Sequence, residues 1–72
     1  MTFDYHKFLL DKWGDPDRLV AFLHQYGHTN IKRPTVNQWF RRRSIPAGEF
    51  ATLMTLLEIE TGAPVSTAEY LT

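Results

Sequence analysis

The sequence predicts an all-α domain, a compact bundle of about five short helices, from three observations. Apolar residues recur at three- and four-residue intervals in successive stretches. Capping or helix-breaking residues bracket those stretches. No stretch alternates polar and apolar residues convincingly over four or more positions, so a clear signal of a half-buried strand is missing.

The first helix is expected over Asp4–Lys12. Tyr5, Phe8, Leu9 and Trp13 share one face, and Gly14 interrupts the pattern. Asp15-Pro16 is a start signal. The carboxylate can cap free N–H groups, and proline is preorganised for the first helical position. Leu19, Phe22, Leu23 and Tyr26 form the apolar stripe of this second helix, and Gly27 is a natural stop. His28–Arg33 reads as a polar connection. Pro34 and Thr35 open a third helix, with Thr35-Val36-Asn37-Gln38 matching the capping-box pattern. Val36, Trp39 and Phe40 would be its buried face. Ser44-Ile45-Pro46 ends it and starts a fourth, in which Phe50, Leu53, Met54 and Leu57 align before Thr61-Gly62. Ala63-Pro64-Val65 reads as a turn. Ser66-Thr67-Ala68-Glu69, a second capping-box match, predicts a short fifth helical turn.

With 72 residues the chain holds a single domain, 1–72, and only a thin core. Its 43% hydrophobic and 22% charged residues place it among ordinary globular proteins. The absence of cysteine excludes disulfides and thiolate zinc sites and fits a reducing compartment. No apolar run approaches the length of a membrane helix, and Met1-Thr2-Phe3-Asp4 lacks the start of a secretory signal. A cytoplasmic protein with no membrane partner is the expectation.

Net charge is zero, yet the charges are segregated. His28–Arg43 carries five Lys or Arg and no acid, whereas Ser44–Thr72 carries four Glu and no Lys or Arg. Such asymmetry bears on partners rather than on fold. On a helix spanning about 34–43, the exposed side chains would be Thr35, Asn37, Gln38, Arg41 and Arg42. These residue types suit base edges: Asn and Gln pair with adenine, Arg with guanine, and Thr bonds or touches a thymine methyl. The free N–H groups at the helix start can also take a phosphate. The plainer reading is that Arg41-Arg42-Arg43 simply complements the negative end of the helix dipole.

The order Leu19–Gly27, Thr35–Arg42, Ser44-Ile45-Pro46-Ala47 and Glu60-Thr61-Gly62 resembles the Cro-like helix-turn-helix regulators of bacteria and phages, especially their YdaS-like branch. Val36 and Trp39, Ile45-Pro46, Thr61-Gly62 and Val65-Ser66 match in sequence order, over roughly Asp15 to Leu71. The resemblance implies a DNA-binding transcriptional regulator of repressor type. It places Thr35, Asn37, Gln38 and Arg41 at base edges in the major groove, and Arg42 and Arg43 on the backbone. Val36 lies nine positions after Gly27, a longer turn than the usual motif has. Lys32 and Arg33, at the end of that extended turn, are assigned to phosphate, whose contacts constrain geometry least.

Other constellations carry less. His24 and His28 have a metal-ligand spacing, but too few further ligands accompany them, and a surface pair is expected. His6 stands alone. Asp15 and Asp17 read as a cap and a first-turn charge. Glu58 and Glu60 do not share a helix face. No nucleophile–base arrangement is visible, so neither an enzyme nor a cofactor is expected. Ile59, Val65, Tyr70 and Leu71 are more apolar surface than a small core needs. They would either form a homodimer surface or fold back as a lid on the core. The expected partners are double-stranded DNA and a second copy. The competing function is a protein-interaction module that offers the basic helix to an acidic partner.

Overall fold

A computed structural model describes residues 2–72; Met1, counted above in the domain and in the N-terminal stretch, lies outside them. The described residues form four α-helices and one 3-10 turn, with no strand beyond an isolated bridge. The helices are α1 (Tyr5–Lys12), α2 (Pro16–Gln25), α3 (Arg33–Arg42) and α4 (Ala47–Thr61); the 3-10 turn is Ala68–Tyr70. The fifth helical segment is thus a single turn of the tighter kind.

Two caps form as their chemistry requires. Asp4 Oδ1 accepts from the Lys7 N–H at 3.0 Å, and Asp15 Oδ1 accepts from the Arg18 N–H at 2.9 Å. Asp4 stands outside α1 as its cap rather than inside it. The two capping boxes do not form. α3 begins at Arg33, with Lys32 at the cap position and Pro34 within the first turn, so Thr35 is already helical. Its N–H donates to the Lys32 carbonyl at 3.1 Å, and that of Val36 donates to the same oxygen at 3.3 Å. Proline lacks an N–H where the helix needs none, so the helix extends past it toward the N-terminus. In the Ser66–Glu69 segment no side chain caps the turn. The Tyr70 N–H donates to Thr67 and that of Leu71 to Ala68, closing the turn through the backbone alone.

The core gathers Phe8, Leu9 and Trp13 from α1 and its end, Leu19 and Leu23 from α2, and Val36 and Trp39 from α3. Ile45 and α4 residues Leu53, Leu56 and Leu57 complete it with Tyr70. α4 carries apolar residues over most of its circumference, as suits a helix packed on more than one side. This is why Leu56, outside the expected stripe, is buried, while Phe50 and Met54 are only partly so. Phe40, expected inside, also packs at the core's edge. No buried charged or polar residue interrupts this core among the described residues.

The C-terminal segment folds back. Phe3 pairs with Leu71 in an antiparallel bridge, and Thr2 and Thr72 exchange backbone hydrogen bonds at 3.1 and 2.8 Å. Tyr70 is 1% exposed, so it closes the core and is unavailable to a dimer surface. Its ring meets Phe8 edge-on, with Phe3 and Phe50 completing an aromatic cluster. Leu10, Ile59 and Leu71 stay exposed. No described helix is long and apolar enough to cross a membrane.

Candidate nucleic-acid interface

α2 and α3 pack directly against each other. Between them, Tyr26–Lys32 forms an ordered connection rather than a loose loop. Gly27 takes φ +88°, a conformation that L side chains rarely adopt, and turns the chain out of α2. The His28 N–H returns to the Leu23 carbonyl at 2.9 Å, and that of Ile31 donates to His28 at 3.3 Å. His24 reaches across from α2, its Nε2 lying 2.9 Å from the Ile31 carbonyl. A carbonyl only accepts, so this nitrogen carries the proton. His24 therefore braces the connection from α2, and this bond, rather than a surface pairing with His28, is its role. Ile31 packs against the core's edge, which anchors the entry to α3.

Val36 (0% exposed) and Trp39 (4%) seat α3 on the core. The opposite side presents Thr35, Gln38, Arg41 and Arg42 to solvent, with Asn37 half-buried on one flank. The spacing of Thr35, Gln38 and Arg42 sets them on the other flank. There they line a groove of about 270 Å³ with Trp39, Ser44 and Pro46. Asn37 and Arg41, four residues apart, share the remaining flank. The structure therefore groups Arg42 with Gln38 and Thr35, and Arg41 with Asn37. A second concavity, lined by His28, Ala51, Thr52, Thr55 and Leu56, contains no Lys, Arg or acid.

Lys32, Arg33, Arg41, Arg42 and Arg43 are all exposed. Arg33 is engaged: its Nε lies 2.9 Å from Oδ1 of Asp17 on α2. Among the described residues no carboxylate lies within ion-pair distance of Lys32, Arg41, Arg42 or Arg43. Arg43 caps α3 at φ 55°, ψ 40°, the left-handed region, and its N–H donates to the Trp39 carbonyl. It is the one non-glycine residue with positive φ among those described. Glycine is the usual residue at such a helix end.

Sequence reasoning did not reach three of these features: the Asp17 partner of Arg33, the His24 strut, and the groove built by Ser44 and Pro46. Each depends on how α2, α3 and the following segment meet in space. A fourth feature, the left-handed end of α3 at Arg43, did leave a signal in the sequence, as a helix ending without the glycine that closes α2 and α4. No family model matches the chain, and neither a curated protein nor a solved structure matches it at a significant level.

Proposed function

We propose that the chain is a sequence-specific DNA-binding regulator of repressor type, in which α2, the extended connection and α3 act as a helix-turn-helix. α3 enters the major groove, which is about 12 Å wide and admits an α-helix. Thr35, Asn37, Gln38 and Arg41 are its base-reading residues, joined by Arg42 through the groove it shares with Gln38. Lys32, Arg33 and Arg43 contact phosphate, and Arg42 reaches the backbone as well as the groove. Two copies on an inverted repeat would present two such helices about 34 Å apart.

One observation carries this reading. A helix held by a buried Val36 and Trp39 exposes a face of Thr, Gln and Arg that bears no acid, and four of its cations or their neighbours have no described carboxylate partner. Solvated helix faces usually mix both charges. The resemblance to Cro-like regulators, which rests in part on the same Val36 and Trp39, implies the same function, and the Gly27-to-Val36 spacing is its main departure.

The test is a salt series with mixed-sequence duplex DNA. On mixed-sequence duplex, where Arg41 meets no cognate base and Arg33 is held by Asp17, the four unpaired cations Lys32, Arg41, Arg42 and Arg43 meeting four phosphates give a log–log slope of about −3.6. Absence of binding even at about 50 mM salt overturns the proposal. Capture of an acidic protein that Arg42→Glu abolishes, with no duplex binding at any salt, would establish the interaction module instead.

A further inference from the structure

Arg33 opens α3, and Asp17 lies in the first turn of α2. Their ion pair brings the N-terminal ends of the two helices together. Both ends carry the positive pole of a helix dipole, and Asp17 places a negative charge beside them. The pair is open to water, with side chains 63% and 68% exposed. Exposed pairs are weak, so a phosphate that offers a guanidinium a two-point contact can displace the carboxylate.

We infer that Asp17 is an internal competitor for the DNA backbone, holding Arg33 in the free protein and yielding it to phosphate when α3 is seated. This rests on the reading of α3 as the DNA-facing helix. Arg33 differs from Lys32, Arg41, Arg42 and Arg43 in having a carboxylate partner among the described residues. The other four attract any duplex. Arg33 contributes only where a phosphate is placed well enough to replace Asp17. The carboxylate thereby lowers the affinity for DNA on which the helix is poorly seated and widens the margin between fitting and non-fitting sites. Asp15, two residues earlier, does not share this role, because its carboxylate caps α2 and its second oxygen faces Arg18 at 3.7 Å.

The experiment compares wild type, Asp17→Asn, Arg33→Ala and the double variant in duplex titrations across a salt series. Asn is similar in shape to Asp, and Asp15 still caps α2, so the variants fold. Asp17→Asn should raise affinity for mixed-sequence duplex by about 3–5-fold and steepen the slope by about 0.9, one further phosphate. In the Arg33→Ala background the gain should shrink to less than about 2-fold, because the competitor has nothing left to release. Equal gains in both backgrounds would make Asp17 a general repulsive charge and overturn the inference. So would a wild type that binds duplex while Asp17→Asn changes neither affinity nor slope. A wild type that binds no duplex overturns the DNA-facing reading of α3 and this inference with it.

Discussion

His24 on α2 donates from Nε2 to the carbonyl of Ile31 across 2.9 Å, tying the longer connection back onto the helix it leaves. The bond is partly shielded from water, and its acceptor has no helix of its own to satisfy it. His24→Ala removes the donor and should cost about 1 kcal/mol in urea unfolding. The duplex affinity of the folded variant should fall as well, because α3 loses a constraint on its entry. Unchanged affinity with reduced stability would mean that the connection holds α3 without this strut.

Arg43 and glycine at the same position should separate stability from binding. A left-handed helix end strains an arginine and suits glycine. Arg43→Gly should therefore raise stability by about 0.5–1 kcal/mol in chemical denaturation. The same variant should bind duplex more weakly and with a shallower salt slope. A stabilised variant with unaltered binding would make Arg43 a structural cap alone.

Trp39 and Arg42 lie three residues apart on α3, with opposite roles. Trp39→Ala empties a site that is 4% exposed and should cost about 3–5 kcal/mol. A domain of this size holds about 5 kcal/mol in all, so the variant should be largely unfolded by circular dichroism at room temperature. Arg42→Ala should melt within about 0.5 kcal/mol of wild type yet lose duplex affinity.

Alkaline pH should destabilise the domain through Tyr70. Burial, chiefly, with the nearby charges of Glu69 and Asp11, pushes its hydroxyl up to about 12. In the unfolded chain the group ionises near 10. Because the folded value is the higher one, the contribution is fully present below pH 10. It declines as pH rises from about 10 through about 12, by about 2–3 kcal/mol in all. Tyr26, whose hydroxyl donates to Glu60, is shifted in the same direction, first by that hydrogen bond. Tyr70→Phe has no proton to lose, so its unfolding free energy should fall less over this interval than that of wild type.

The all-helical class was legible because Phe8, Leu9, Leu19 and Leu23 recur at helical spacing and Asp15, Gly27 and Gly62 punctuate the chain. The start of α3 was less legible. Thr35 has capping chemistry, but the backbone closes its first turn onto Lys32 instead, with proline inside. The fate of Tyr70 was open for a different reason: an apolar tail residue reads alike whether it covers its own core or a second copy. Only its packing against Phe8 and the pairing of Phe3 with Leu71 decide between them. The cluster Lys32–Arg43 was visible as a run of charge. Its internal grouping was not, because the engagement of Arg33 by Asp17 and the shared groove of Gln38 and Arg42 depend on neighbouring elements.

Selection of bound duplexes from a random-sequence library tests the DNA-reading role of α3 most directly. Wild type should enrich a defined site with inverted-repeat symmetry. Gln38→Ala should relax the preference at one position of each half-site, a loss of about 1–3 kcal/mol of discrimination there. A bound pool with no enriched sequence, or the same enriched site from wild type and from a variant carrying Asn37→Ala, Gln38→Ala and Arg41→Ala together, would contradict sequence reading by this helix.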